Sequence, residues 1–314
     1  RLTPPPGEAD DVVRALSRDP EVEVVEVERS WSVPEPPIAA GAETEPEPAD
    51  DPDRFVPNDP YYGYQWHLDQ VGMPSAWTFG RGEGAVVAVI DTGVAYRSEE
   101  GFAQAPDLGE TRFVAGYDFV RRDAHPDDDH GHGTHVAGTI AQSTNNGVGV
   151  AGVAPRAAIM PLKVLSRNGT GGWGAIAAAI RYAVDHGADV INMSLGGGFP
   201  SRTVQRAIDH AHDEGVLVVA AAGNAGRDHV EYPARYRHVV AVGAVRFDRE
   251  LSFYSSYGRG LDLVAPGGDL RVDQNEDGMP DGILQNTLVN GDPQRFDYLA
   301  YQGTSMAAPH VAGV

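Results

Sequence analysis

The sequence predicts an α/β fold, a mostly parallel, doubly wound sheet flanked by helices, with a partial α+β segment ahead of it. Three observations lead there. From about Tyr61 onward short apolar runs of strand character alternate with helical segments: AVVAVID, GTHVAGTIAQS, AIMPLKVL, WGAIAAAIRYAVDHG, DVINMSL, RTVQRAIDHAHDEG, VLVVAAAGN and VVAVGAV. That rhythm is the pattern of a parallel sheet covered by helices on both faces. The stretch GAVVAVI reads as a buried strand, and no apolar run is long enough to cross a bilayer. Finally, 314 residues with 41% hydrophobic content suffice for one sizeable core and a small appendage.

Taken in order, residues 1–33 form a unit of their own. EADDVVRALSRDP has a helical apolar pattern, and EVEVVEVERSW is a valine-rich strand whose valines change face between Val24 and Val25, which calls for a bulge or contacts on both sides. One helix and one strand cannot make a core. Residues 34–54, rich in Pro, Glu, Ala and Asp, read as an exposed linker that is easily cut. Residues 55–314 carry the alternating pattern. In such sheets chemistry gathers at the carboxyl ends of strands, and Asp91, Ser194 and Asn224 close three of the strand runs.

Charge narrows the partners. With 24 basic against 45 acidic residues, the formal charge of −21 repels nucleic acid and anionic membranes and favours cations. There is no cysteine, so disulfides and thiolate metal sites are excluded. The chain starts RLTPPPGEADD, without an initiator methionine or a signal-type stretch, so the natural start is expected upstream.

Three stretches carry chemistry. Asp91 lies in VAVIDTGV, directly after a strand, where a carboxylate can equally well cap a turn. His132 lies in DHGHGTHVAGT, whose glycines let a helix start tightly against other backbone. The neighbouring His130 and His135 raise the alternative of zinc, but zinc needs three or four converging ligands and these histidines supply one edge. Ser305 lies in GTSMAAPH, where a hydroxyl residue often does no more than cap a helix. Together the three supply a nucleophile, the imidazole that takes its proton, and the carboxylate that orients the imidazole. Their order, Asp then His then Ser, and the G-x-S-x-A setting of Ser305 disfavour a lipase-type α/β-hydrolase.

On these motifs, and over nearly everything from NDPYYGYQWHLDQVGMPSAW to the end, the chain resembles the subtilisin family of serine proteases, in its thermitase-like branch. The resemblance implies that His132 is general base and acid, Asp91 its orienting partner and Ser305 the acyl-forming nucleophile. Asn224 in AAAGNAG would donate to the oxyanion together with the Ser305 backbone N–H. Ser194, Leu195 and Gly196 would pair with an extended peptide, making the substrate a polypeptide. Glu231 falls where the family places the floor of the pocket for the residue preceding the cut, where an inward carboxylate would favour Lys or Arg; a solvated surface Glu is the other reading. His135 and His310 fall outside these roles and read as packed or surface histidines. Residues 1–33 resemble the end of the family's inhibitory propeptide, and cleavage after Arg54, leaving Phe55 first, would suit an acidic pocket.

Three groups have oxygen-ligand character suited to Ca²⁺. By the resemblance, the first comprises Asp59, Asp107, Asn146 and the carbonyls of Thr144, Val148 and Val150. The second, Asp118, Asp123 and Asp127, resembles a thermitase-like site. The third, Asp273, Asn275, Asp277 and Asp281 in DQNEDGMPDG, follows the start of an EF-hand loop without its distal glutamate, and can also be a solvated acidic loop.

The resulting expectation is a secreted, monomeric, calcium-stabilised serine endopeptidase, made as a precursor whose own propeptide inhibits it. The alternatives are a noncatalytic member of the fold holding peptides in a former active-site groove, and a calcium-binding structural module, which leaves the three motifs unexplained. Family members continue well past the serine, whereas this chain ends nine residues after Ser305, so a piece of a longer precursor is expected.

Overall fold

A computed structural model of the chain describes residues 2–4, 7–33, 38–39 and 53–314. The expected helix forms as α1 (Ala9–Leu16), with Asp10 and Asp11 in its first turn and Arg14 in its last, each charge matched to the helix dipole. The valine-rich stretch does not become the strand its composition suggests. Residues 22–29 join no ladder, and only β1 (Ser30–Ser32) pairs. A strand needs a partner edge, and here the chain is instead drawn across two helix ends by Glu26 and Glu28, described below. The short β2 (Ile38–Ala39) is all that is described of the expected linker before residue 53.

The main body begins with α2 (Trp66–Gln70) and α3 (Met73–Ala76), followed by β3 (Val86–Asp91), β4 (Arg112–Phe113), β5 (Tyr117–Asp118), α4 (His132–Ala141) and β6 (Ala158–Lys163). Next come β7 (Thr170–Gly172), α5 (Trp173–Asp185), β8 (Val190–Met193), α6 (Arg202–Asp213), β9 (Leu217–Ala221) and β10 (Val240–Val245). The chain closes with β11 (Leu263–Pro266), β12 (Ile283–Leu288), β13 (Phe296–Tyr301) and α7 (Thr304–Gly313).

The central sheet has the order β11-β10-β9-β8-β3-β6-β4, with β5 also on β6, and every pairing in it is parallel. The strands alternate their side chains between two apolar layers, as period-two geometry requires. Ala88, Ile90, Met160, Leu162, Ile191 and Val218 pack with α5 and α6 residues such as Ile176, Ile180 and Ile208. Val87, Val89, Ile159, Val219 and Val242 pack with α4 and α7 residues such as Val136, Ile140, Met306 and Ala307. Helices therefore cover both faces, the doubly wound arrangement the sequence predicts. The antiparallel pair β12–β13 stands beside α4 and contributes Ile283 and Leu299 to the second layer.

Candidate active site

Asp91 is the last residue of β3 and is fully buried. His132 opens α4, and its Nδ1 lies 2.8 Å from Asp91 Oδ1, so Nδ1–H donates to the carboxylate and leaves Nε2 bare as an acceptor. Thr92 N–H donates to the same carboxylate oxygen at 2.7 Å. Glycine makes this approach possible. A Cβ on Gly133 would stand 2.1 Å from the Gly93 carbonyl and 3.1 Å from Asp91 Cβ, so only glycine lets the helix sit against the strand end. Gly131, which precedes the helix, has φ +106°, in the left-handed region.

Ser305 lies in the first turn of α7, which packs directly on α4. Its hydroxyl donates to the Ser194 carbonyl at 3.3 Å, while His132 Nε2 is buried and meets no hydrogen-bond partner among the described residues. The serine–imidazole hydrogen bond is thus not formed in this state. Catalytic hydrogen bonds are commonly long or misaligned before substrate arrives. Ser194, just past β8, ties the region together, since its hydroxyl donates to the Ser305 carbonyl at 2.7 Å.

Asn224 follows β9. Its Oδ1 accepts from Thr304 N–H at 2.9 Å and from Thr304 Oγ1 at 2.8 Å. Two donors on Oδ1 fix the amide orientation and turn Nδ2, a pure donor, away from Thr304. Gly303 has φ +150°, and a Cβ there would come within 3.4 Å of that Nδ2. The first N–H groups of a helix lack intrahelical partners, so the start of α7 and the Asn224 amide together can stabilise an oxyanion.

A strand from the same chain runs along the cleft. β1 pairs antiparallel with β7, Ser32 N–H donates to the Gly196 carbonyl at 3.3 Å, Gly196 N–H returns to Ser32 at 3.4 Å, and Val33 N–H donates to Gly169 at 3.0 Å. Trp31 is buried edge-on against Trp173, where a Cβ on Gly197 would be 2.3 Å from its ring. Glu26 accepts from the backbone N–H groups of Arg202 and Thr203 at the start of α6, and Glu28 from Gly174 N–H at the start of α5. Carboxylates at helix N-termini are favoured by the helix dipole and the unpaired N–H groups. Glu231 stands between the two walls of the cleft: a Cβ on Gly196 would lie 3.4 Å from its Oε2 and one on Gly223 2.8 Å from its Cδ. Burial pushes its carboxyl above the usual range, and His229 and Arg227 pull it back.

An imidazole held by a buried carboxylate, a serine at the start of an adjoining helix and an added-strand cleft are a hydrolase's parts, and comparison with known proteins identifies which one. The family model described as "Subtilase family" (Peptidase_S8) matches residues 82–314. The chain belongs to the subtilase family. Thermitase of Thermoactinomyces vulgaris is 40% identical over 261 residues, 83% of this chain and 84% of that one. The thermophilic serine proteinase of Bacillus sp. (strain AK1) is 40% identical over 311 residues, 98% of this chain and 66% of that one. A solved protease from Pseudoalteromonas arctica PAMC 21717 superposes with a TM-score of 0.72 at 37% identity, covering 82% of this chain and 85% of the other. This subtilase is a serine endopeptidase of the thermitase-like kind.

Of the three ion sites expected from the sequence, the first keeps a suitable donor set. Asp59 and Asp107 are fully buried with no cationic side chain paired to either among the described residues. Asp59 accepts from Asn145 and Asn146 N–H, and Asp107 from Val150 N–H and Asn146 Nδ2. Burial pushes the Asp107 carboxyl up to about 8. A Cβ on Gly149 would fall 2.3 Å from Asp107 Oδ2, so the 144–150 loop folds closely over the pair. Oxygen-rich surroundings and two buried uncompensated carboxylates fit a hard divalent cation.

No group of three acidic or histidine side chains among the described residues is placed to hold a metal in any of the three sets; within the second Asp118 is bridged to Asp123, and in the third Asp273 and Asp277 lie near Asp281. Asp127 is clasped by Arg97 through two hydrogen bonds of 3.0 and 2.7 Å. In the acidic loop Asp273 turns to the N–H groups of Asp277 and Gly278, Asp277 to Met279, and Asp281 to Gln274, while Asn275 donates to Asp277.

Of the neighbouring histidines, His135 faces the Ile283 and Leu299 carbonyls and stacks on Tyr301. Thr92, Asp128 and Lys163 lie outside the roles the motifs imply, and Thr304, which reads with Ser305 as a helix-capping hydroxyl, instead binds Asn224. Lys163, almost fully buried on β6 opposite Asp91, donates to the Thr92 carbonyl and pairs with Asp129 at 2.7 Å. A lysine ending an apolar strand is the available signal for it.

Proposed function

We propose that this subtilase cleaves peptide bonds through an acyl-enzyme formed on Ser305, with His132 as general base and acid and Asp91 holding its tautomer. The observation that carries the reading is the 2.8 Å His132–Asp91 hydrogen bond, which leaves a bare, buried Nε2 beside the helix that bears Ser305. When a substrate strand lies along Gly196 and Gly169, Ser305 turns from the Ser194 carbonyl to His132, gives up its proton and attacks. The Asn224 amide and the Ser305 N–H then receive the oxyanion. His132 returns the proton to the leaving amine, and water repeats the sequence to free the enzyme.

The segment Trp31–Val33 supports the reading that the chain is a self-inhibiting precursor, since it fills the added-strand site a substrate would take. Maturation by a cut between Arg54 and Phe55 would leave Phe55 anchored, with its N–H on the Pro74 carbonyl and its ring on Trp77. Calcium held by Asp59, Asp107 and the 144–150 loop would neutralise two buried carboxylates and stabilise the fold. No described helix is long and apolar enough to cross a membrane, and we take the protein to be a secreted monomer acting on polypeptides.

The test is labelling with a serine-directed phosphonate. The precursor expressed in full and allowed to mature is expected to form one adduct, on Ser305, and Ser305→Ala none. Absence of adduct in the unaltered protein would favour a noncatalytic peptide-binding member.

A further inference from the structure

We propose that Asp128 and Thr92 form a positioning unit that sets the Asp91–His132 pair for catalysis, an inference that rests on the triad reading above. Asp128 is 1% exposed and meets no cationic partner among the described residues, yet it lies three residues before the α4 N-cap, Gly131. Its Oδ1 accepts from Thr92 Oγ1 at 2.9 Å, His130 N–H at 2.9 Å and Gly131 N–H at 3.0 Å. Its Oδ2 accepts from Thr134 N–H at 3.1 Å and Thr134 Oγ1 at 2.6 Å. A buried carboxylate without a counter-charge is costly unless donors surround it, and five do here.

The pattern of donors shows what the group holds. The leading N–H groups of α4 have no intrahelical acceptor and must find others. His132 N–H goes to His130 Nδ1 at 3.3 Å, Gly133 N–H to Thr92 Oγ1 at 2.9 Å, and Thr134 N–H to Asp128. Two of these three acceptors belong to the Asp128–Thr92 pair. Thr92 is also the residue whose own N–H holds Asp91 Oδ1, and whose carbonyl is held by Lys163. One chain of hydrogen bonds therefore runs from the carboxylate of Asp91 through Thr92 and Asp128 into the turn that starts with His132. It fixes the strand end and the helix start relative to each other, and with them the angle at which Nε2 faces the serine. Neither side chain touches substrate, so both act through the pair they position.

Misplacement of a catalytic group by a fraction of an ångström acts on the chemical step rather than on peptide binding. In the matured enzyme, Asp128→Asn is expected to lower kcat by roughly tenfold or more, as loss of charge-assisted hydrogen bonds implies, with KM within about twofold of its original value. Because that variant can fail to fold, Thr92 provides a second arm. Thr92→Val keeps the shape and loses Oγ1, and is expected to lose kcat by a similar factor; Thr92→Ser restores the hydroxyl and is expected to recover it. Unchanged kcat in Asp128→Asn, a rise in KM alone, or equal kcat in Thr92→Val and Thr92→Ser would each overturn the proposal. Ser305→Ala run in parallel separates the two readings: hydrolysis surviving in it sinks the triad itself, whereas an inactive Ser305→Ala beside a normal Asp128→Asn sinks only the positioning unit.

Discussion

Acidification should unfold this enzyme well before its carboxylates are fully protonated, because three histidines are locked in the neutral form beneath the catalytic helices. His310 lies on α7, five residues after Ser305, and its Nδ1 is 2.8 Å from the Met306 carbonyl. A carbonyl only accepts, so Nδ1 carries the proton and Nε2 is left to accept from His67 Nδ1–H on α2, also at 2.8 Å. Protonating His310 would set two N–H groups against each other; protonating His67 would strand a cation at Nε2, which is buried with no partner among the described residues. Burial pushes His310 down to about 4 and His135 to about 3, and burial followed by the nearby His310 and His135 pushes His67 well below its ordinary 6.5. All three folded values are depressed, so the stability they contribute is complete above about pH 6.5. It drains as the pH falls toward the folded values, because the unfolded chain takes up protons that the fold refuses. Between pH 6.5 and 5 the unfolded chain gains about 1.2 units at 1.36 kcal/mol for each of His310 and His135, roughly 3 kcal/mol for the two, and His67 adds to the loss in the same direction. That is a large share of the roughly 5–15 kcal/mol by which ordinary domains are stable. Urea denaturation at pH 5, 6.5 and 8, on a Ser305→Ala background to prevent self-digestion, measures it directly. His67→Gln keeps a donor for His310 and cannot titrate, so the loss of stability between pH 6.5 and 5 should shrink measurably relative to the parent. Equal stability of the parent at pH 5 and 6.5, or an undiminished loss in His67→Gln, would refute the reasoning.

Two further outcomes are expected. Chelation should lower the melting temperature by about 5–10 °C if calcium is normally present at about a hundred times its dissociation constant, a linkage contribution of about 2.7 kcal/mol; a scan unchanged by EDTA and by added calcium would remove the ion from Asp59 and Asp107. Glu231→Gln should reduce kcat/KM for substrates with Lys or Arg before the cut by roughly 10- to 100-fold relative to a Leu substrate, the worth of a hydrogen bond to a charged group, and an unaltered ratio on peptide libraries would turn Glu231 into a bystander.

What the sequence made legible, and what it did not, follows from the range of each interaction. The strands β3, β6, β8, β9 and β10 could be read because burial on both faces demands unbroken apolar runs, a constraint written in consecutive letters. Asp91, His132 and Ser305 stand in motifs that glycine makes conspicuous, because no side chain fits the close approaches there: Gly133 against Gly93, and Gly303 with its positive φ against Asn224. The valine-rich segment carries no such mark of its partners. Val24, Val25 and Val27 have strand character, but a strand also requires a neighbour, and the helix ends that draw in Glu26 and Glu28 lie about 150 to 175 residues away. The acidic loops follow the same logic. Spacing put Asp127 with Asp118 and Asp123, whereas Arg97, thirty residues earlier, takes both its oxygens.

Asp128 is the most instructive case, because DDDHGHGTH offers three consecutive carboxylates with nothing to rank them. Their fates diverge completely: Asp127 pairs with Arg97, Asp129 with Lys163 and Arg121, and Asp128 alone turns inward to Thr92 and the start of α4. Adjacent residues on an irregular turn point in different directions, so each meets a different part of the fold. Composition and spacing can nominate such a cluster, but only the packing of strand end against helix start selects the one carboxylate that reaches the catalytic pair. The same packing offsets the cost of burying that carboxylate: the helix start supplies N–H donors that would otherwise lack partners, so burial of the acid and capping of the helix satisfy one another.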